Sequence, residues 1–112
     1  MSSARTGSRA EAWWPVRAEW RQAGPGHWQL IGGVGLETVT GLLALPEADG
    51  GRLRIDWSRV DALDSTAVAL MIEWLRQARR AGIELRFSGR PPALDNLLEV
   101  FDLRAPLADL LA

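Results

Sequence analysis

Asp61, Asp64, Ser65 and Thr66 put two carboxylates and two hydroxyls into six consecutive residues, the densest chemistry the chain offers. Three uses fit such a group: an acid–base pair, a phosphorylation site or the cap of a helix. Acid–base work needs a partner of matched proton affinity, most often histidine or lysine. The chain has one histidine, His27, and no lysine, so no such partner lies near in sequence. Phosphate on Ser65 or Thr66 would add about two negative charges. Capping asks only that Asp64 or Ser65 accept from an unpaired amide of the first helical turn. That end of a helix also carries partial positive charge, which suits a phosphate or a partner's carboxylate.

The other reactive groups carry less. Gly32-Gly33-Val34-Gly35 has neither dinucleotide nor Walker spacing and no Lys-Ser/Thr after it, so it reads as a flexible strand-to-helix turn. The absence of cysteine excludes disulfides and thiolate metal sites. With one histidine a zinc centre would rest on carboxylates, so neither metal nor cofactor is expected. His27 beside Trp28 reads as a strand residue next to a turn, and Trp13-Trp14-Pro15 as packing at a sheet edge. Arg76, Arg79 and Arg80 read as a solvated helix end rather than a nucleic-acid or headgroup site. A net charge of −1 supplies no global field for nucleic acid or an anionic membrane.

These side chains need a scaffold to hold them. Leu53–Trp57 and Glu84–Ser88 read as strands, and between them a helix should run from Ser65 to about Ala81. Arg76, Arg79 and Arg80 complement its negative end and Gly82 terminates it. Strand, helix and strand make a right-handed unit with parallel strands. Asp64 to Thr66 then fall at the carboxyl end of a strand, where open α/β sheets place their sites. Upstream, Val16, Ala18 and Trp20 alternate with charged residues as in a half-buried strand. Gly24-Pro25-Gly26 turns the chain into a second strand, His27–Ile31. Leu36, Val39, Leu42 and Leu43 recur at helical spacing and Pro46 stops them. Pro92 opens a further helix whose stripe is Leu94, Leu97, Leu98 and Phe101. Leu107, Leu110 and Leu111 suggest one last helical turn.

The order β-β-α-β-α-β-α describes an α/β fold, a small open sheet of 4–5 strands with packed helices. The length of 112 residues supports one domain, expected over residues 13–112 after a disordered lead-in at 1–12. No run reaches the roughly eighteen apolar residues of a membrane span. The lead-in lacks the apolar segment of a secretory signal, so the cytoplasm is the expected compartment.

The central helix is greasier than one buried face requires. Val68, Ile72 and Leu75 form one stripe; Ala67, Leu70, Met71 and Trp74 form another around the cylinder. Either neighbouring helices cover both, or one awaits a partner. For a domain of this size the expectation is a partner.

Residues Asp56 to Leu70 resemble the signature of the STAS-domain family, shared by anti-sigma-factor antagonists and sulfate-transporter tails. In that family a strand ending in Asp leads through a "V-x-x-(hydrophobic)-D-S" turn into a helix. Leu70 to Gly82 is most similar to the MlaB-like members, STAS subunits of ABC transporters that move phospholipid between Gram-negative membranes. The likeness spans roughly Val16 to Leu103. It implies that Asp64 is the motif aspartate and Ser65 the hydroxyl at the ATPase contact. Thr66 falls where anti-sigma antagonists carry their phosphorylated serine. Ala67 and Val68 depart from the glycine and leucine usual there, which makes the turn bulkier for a kinase.

The resemblance implies a non-enzymatic, cofactor-free accessory subunit that stabilises or regulates an MlaF-like ABC-transporter ATPase, held through it at the inner face of the inner membrane. The docking residues expected are Asp64, Ser65, Thr66, Ala67, Leu70, Met71 and Trp74. The alternative is an anti-sigma-factor antagonist whose partner is an anti-sigma kinase that phosphorylates Thr66 or Ser65. A third reading, lipid or nucleotide in a groove beside the helix, has no specific support in the sequence.

Overall fold

Four strands build one sheet: β1 (Ala18–Gly24), β2 (His27–Val34), β3 (Arg52–Leu63) and β4 (Glu84–Ser88), side by side in that order. The computed structural model describes residues 17–111. The expected lead-in at 1–12, the Trp13-Trp14-Pro15 segment and Val16 lie outside the described residues. β1 and β2 are antiparallel, while β2–β3 and β3–β4 are parallel. The helices are α1 (Thr66–Ala81), α2 (Pro92–Val100) and the single turn α3 (Ala108–Leu111). This is the mixed α/β open sheet expected from the sequence, with four strands among the described residues.

Two strands outrun their sequence signal. The run Gly32-Gly33-Val34 is the end of β2, not a turn. Gly32 takes φ +105°, and a side chain there would drive into the Arg17 carbonyl. Gly33 N–H donates to that same carbonyl at 2.7 Å, so the glycines serve close approach between chains. β3 continues past Trp57 to Leu63 because two register shifts against β2 absorb the extra residues as bulges. Ser58 and Arg59 are both exposed, which breaks the alternation that marks a strand in sequence.

The helix expected over Leu36–Leu43 shrinks to a 3-10 turn, Val39–Leu42. Thr38, Val39 and Thr40 are β-branched and Gly41 is a poor helix former, so local propensity is weak. Side chains of α1 hold the segment instead. Trp74 Nε1 donates to Leu42 O at 2.9 Å and Gln77 Nε2 to Leu43 O at 2.7 Å, while Leu45 N donates to Gln77 Oε1 at 3.1 Å.

α1 obeys its sequence signals more closely. Gly82 ends it in the left-handed region at φ 68°, and Ile83 N–H folds back onto Ala78 O at 2.8 Å. Its apolar side lies on the sheet, where the Trp74 ring sits 5.5 Å from Trp20, 5.9 Å from Trp57 and 6.1 Å from Phe87. Leu94 and Leu98 of α2 complete the core, and Leu107 and Leu110 close its end.

Candidate docking site

The corner between β3 and α1 is fastened from both sides. Asp64 N–H extends the ladder by donating to Val34 O at 3.2 Å. The Asp64 carboxylate turns forward and accepts the Thr66 N–H at 2.8 Å, closing the first turn. Ser65 stands at the N-cap position but makes no side-chain cap. The expected capping role therefore belongs to Asp64, which leaves the Ser65 hydroxyl exposed and without a hydrogen-bond partner among the described residues. Thr66 is half-buried.

A second loop supports the corner. A Cβ on Gly35 would sit 3.1 Å from Asp64 Oδ2, so only glycine lets that backbone lie against the carboxylate without pressing on it. Thr38 Oγ1 locks the loop, donating to Gly33 O at 2.8 Å and accepting from Gly35 N at 3.1 Å. Val34, Gly35, Glu37, Ala62, Leu63 and Asp64 line a shallow concavity of about 160 Å³ here. Leu36, beside it, is 78% exposed.

The charge here is acidic. Asp64 and Glu37 flank Gly35 at the corner, Asp61 lies three residues upstream on β3, and all three are exposed. The first amides of α1 are already engaged, Thr66 N by the Asp64 side chain and Ala67 N by the Asp64 carbonyl at 3.0 Å. The expectation that this helix end welcomes a phosphate or a partner's carboxylate is thus corrected. An incoming anion meets a fixed carboxylate, whereas a cation or an N–H donor finds an acceptor.

The structure also corrects the apolar half of the expected site. Trp74 and Met71 are 0% exposed and Leu70 1%, and Ala67 is equally enclosed. These four form the face that α1 lays on the sheet, so they cannot meet a partner without unfolding. The other stripe is covered too: Val68 is buried, and Ile72 and Leu75 pack partly against the core. A four-stranded sheet plus α2 hides a wider arc of α1 than one neighbour would.

What faces outward is a row at helical spacing from Ser65 through Ala69 to Arg76 and Arg80, edged by half-buried Ile72 and Glu73. Glu73 is tied along the helix, accepting from Gln77 Nε2 at 3.0 Å with Arg76 Nη1 at 3.5 Å. The Gln77 hydrogen bond, with Arg76 and Arg80 adding to it, holds the Glu73 carboxyl below its usual range against slight desolvation. Sequence reasoning missed Ala69 and Leu36. Ala69 was legible, because it lies opposite Trp74 on the helical wheel. Leu36 was not, because its spacing with Val39 and Leu43 imitates a buried stripe.

A strand feeding an Asp-Ser-Thr corner into a helix laid on a mixed sheet is the arrangement the sequence resemblance implied. The family model described as Mlab, STAS domain, matches residues 34–111. The chain belongs to the MlaB-like STAS family. The match takes in the whole corner, α1 and both later helices, and starts at the last residue of β2. No curated protein matches the chain significantly. STAS domains are generally regulatory or accessory rather than catalytic. Among the described residues of this STAS domain, no cluster of His, Cys, Asp or Glu could hold a metal ion, and no helix is long and apolar enough to cross a membrane.

Proposed function

We propose that this STAS domain is a non-enzymatic accessory subunit that docks onto the ATPase of a phospholipid-transporting ABC complex, at the cytoplasmic face of the inner membrane. Family membership supports this reading. The observation that carries it is the β3–α1 corner, which presents an exposed Ser65 hydroxyl, unpartnered among the described residues, beside an Asp64 carboxylate held by Thr66 N–H. Asp64, Ser65 and Thr66 head the surface and Ala69 continues it. Ala67, Leu70, Met71 and Trp74 support it from beneath. Ala69 presents little bulk, so a partner helix or loop can approach the α1 backbone closely. The acidic corner calls for arginine, lysine or backbone N–H donors on the ATPase. Coupling to transport then requires that the domain bind one state of the ATPase more tightly than the other. Affinity purification of the tagged chain from membranes should recover an ABC ATPase, and recovery of none argues against the reading.

One observation favours a second reading, an anti-sigma-factor antagonist switched by phosphorylation. The exposed Ser65 hydroxyl is open to a kinase, and phosphate there would repel the neighbouring Asp64 carboxylate and add bulk that changes how a partner docks. Thr66 is less accessible. Incubation with the cognate anti-sigma kinase and ATP, followed by mass spectrometry, separates the two: one phosphate on Ser65 or Thr66 favours the antagonist.

A further inference from the structure

The sheet has a second face that the docking surface does not use. Leu53, Ile55, Leu85 and Phe87 point into the core, so the residues between them project the other way. The register sets His27 opposite Arg54 and Arg54 opposite Arg86, three basic side chains in one row across adjacent strands. Like charges directly opposite one another destabilise a sheet, so the row works against the fold that carries it.

Nearby acids offset it without reaching Arg54. Glu84 lies 2.9 Å from Arg86 Nη2 and 3.8 Å from Arg52 Nε, so one carboxylate serves two arginines, and Arg86 Nη1 also donates to Asp109 O at 2.7 Å. Asp56, the next acid along β3, accepts the Ser58 N–H at 2.9 Å and faces Gln29. Arg54 has no acidic partner among the described residues. Arg52, Arg54 and Arg86 stand against Glu84 and Asp56, with Asp49 beside the Gly26 turn. This face is therefore marked by the Arg54 guanidinium, which lacks a carboxylate partner among the described residues, rather than by a net positive field.

The row borders a concavity of about 460 Å³. Its rim is the Pro25–Gly26 turn, pressed so close that a Cβ on Gly26 would lie 2.7 Å from the Arg52 carbonyl. Small-molecule sites run from about 300 to 1,000 Å³, so inorganic phosphate alone would underfill this one. A guanidinium fork matches phosphate oxygens two at a time, and a phosphomonoester carries close to two negative charges.

We propose that this concavity binds a phosphomonoester, with Arg54 as its principal contact and His27 and Arg86 flanking. The site lies where β3 and β4 begin, whereas the docking corner lies where β3 ends, so the two stand or fall separately.

The test is a titration of the full chain, followed by amide chemical shifts, with glycerol 3-phosphate and with sulfate at matched ionic strength. Saturable shifts at Gly26, His27, Arg54 and Arg86 are expected from the ester and not from sulfate. Arg54→Gln should weaken binding at least about tenfold, Arg54→Lys less, and Arg76→Gln on the outward face of α1 not at all. Without ligand, Arg54→Gln should melt no lower than the parent, since it removes a like-charge contact. Sedimentation with phosphatidylcholine vesicles containing phosphatidic acid identifies the source of the group. Arg54-dependent co-sedimentation without a response to the soluble ester assigns it to a lipid headgroup; a response to the ester assigns it to a soluble metabolite. No saturable response to either, or one that sulfate reproduces or Arg54→Gln leaves intact, overturns the proposal.

Discussion

Two rows of one helix, a few ångströms apart, have opposite fates. The inward row of α1, Ala67, Leu70, Met71 and Trp74, is sealed against the sheet, while the outward row, Ser65, Ala69, Arg76 and Arg80, is open. Hydropathy alone would send a partner to the first row, but the packing leaves only the second open to one. On a helix laid over a sheet, the greasy face belongs to the fold. A docking face is marked instead by small and polar residues that leave the backbone approachable.

The comparison is sharpest where substitution is harshest. Leu70→Asp or Trp74→Ala should cost about 3–5 kcal/mol or more, enough to unfold most of the chain, as read by urea denaturation. A folded Leu70→Asp protein that merely stopped binding would restore the greasy row as the interface.

A subtler pair probes how the inward row is held. Trp74 N–H bonds the Leu42 carbonyl, whereas Trp57 N–H is buried with no partner among the described residues. Trp74→Phe should therefore cost about 1–3 kcal/mol more than Trp57→Phe, because only the former strands a carbonyl. Equal costs would mean that the Leu42 bond contributes nothing.

Much of this frame was legible in the sequence. The hairpin at Pro25–Gly26, the α1 terminus at Gly82 and the start of α2 at Pro92 follow from backbone rules that act within a few residues. The errors came where distant groups decide. Leu42 to Leu45 is shaped by Trp74 and Gln77, more than thirty residues downstream. β3 is lengthened by bulges whose cause lies partly in β2. The polar corner was found because its residue types are unusual. Its apolar extension was misplaced because one-dimensional periodicity counts greasy faces without knowing how many neighbours will cover them.

Smaller effects refine the corner. Asp64→Ala removes the bond to Thr66 N and should cost about 1 kcal/mol by thermal melting. Ser65→Ala, which caps nothing, should cost far less. A reversal would make Ser65 the structural residue and Asp64 the free one.

The smallest expected effect is in pH. Burial alone would raise the Asp56 carboxyl, but the Ser58 amide and hydroxyl, Gln29 and the charge of His27 hold it below its usual range. Glu73 is held low as well, first by Gln77. Both are lowered in the folded state, so their contribution is complete above the ordinary carboxylate range. It is lost as pH falls below about 4 and through the folded values. The melting temperature should decline gently there, and Asp56→Asn should flatten part of the slope; an unchanged slope would remove Asp56 from the account.

The outward row is tested most directly by Ala69→Arg, assayed for stability and for affinity to the ATPase that the parent chain recovers from membranes. The account predicts unfolding within about 0.5 kcal/mol of the parent, since the side chain enters solvent. It also predicts at least a roughly thirtyfold loss of affinity, as at a hot-spot position. Parental affinity in a normally folded Ala69→Arg protein would contradict docking through this face.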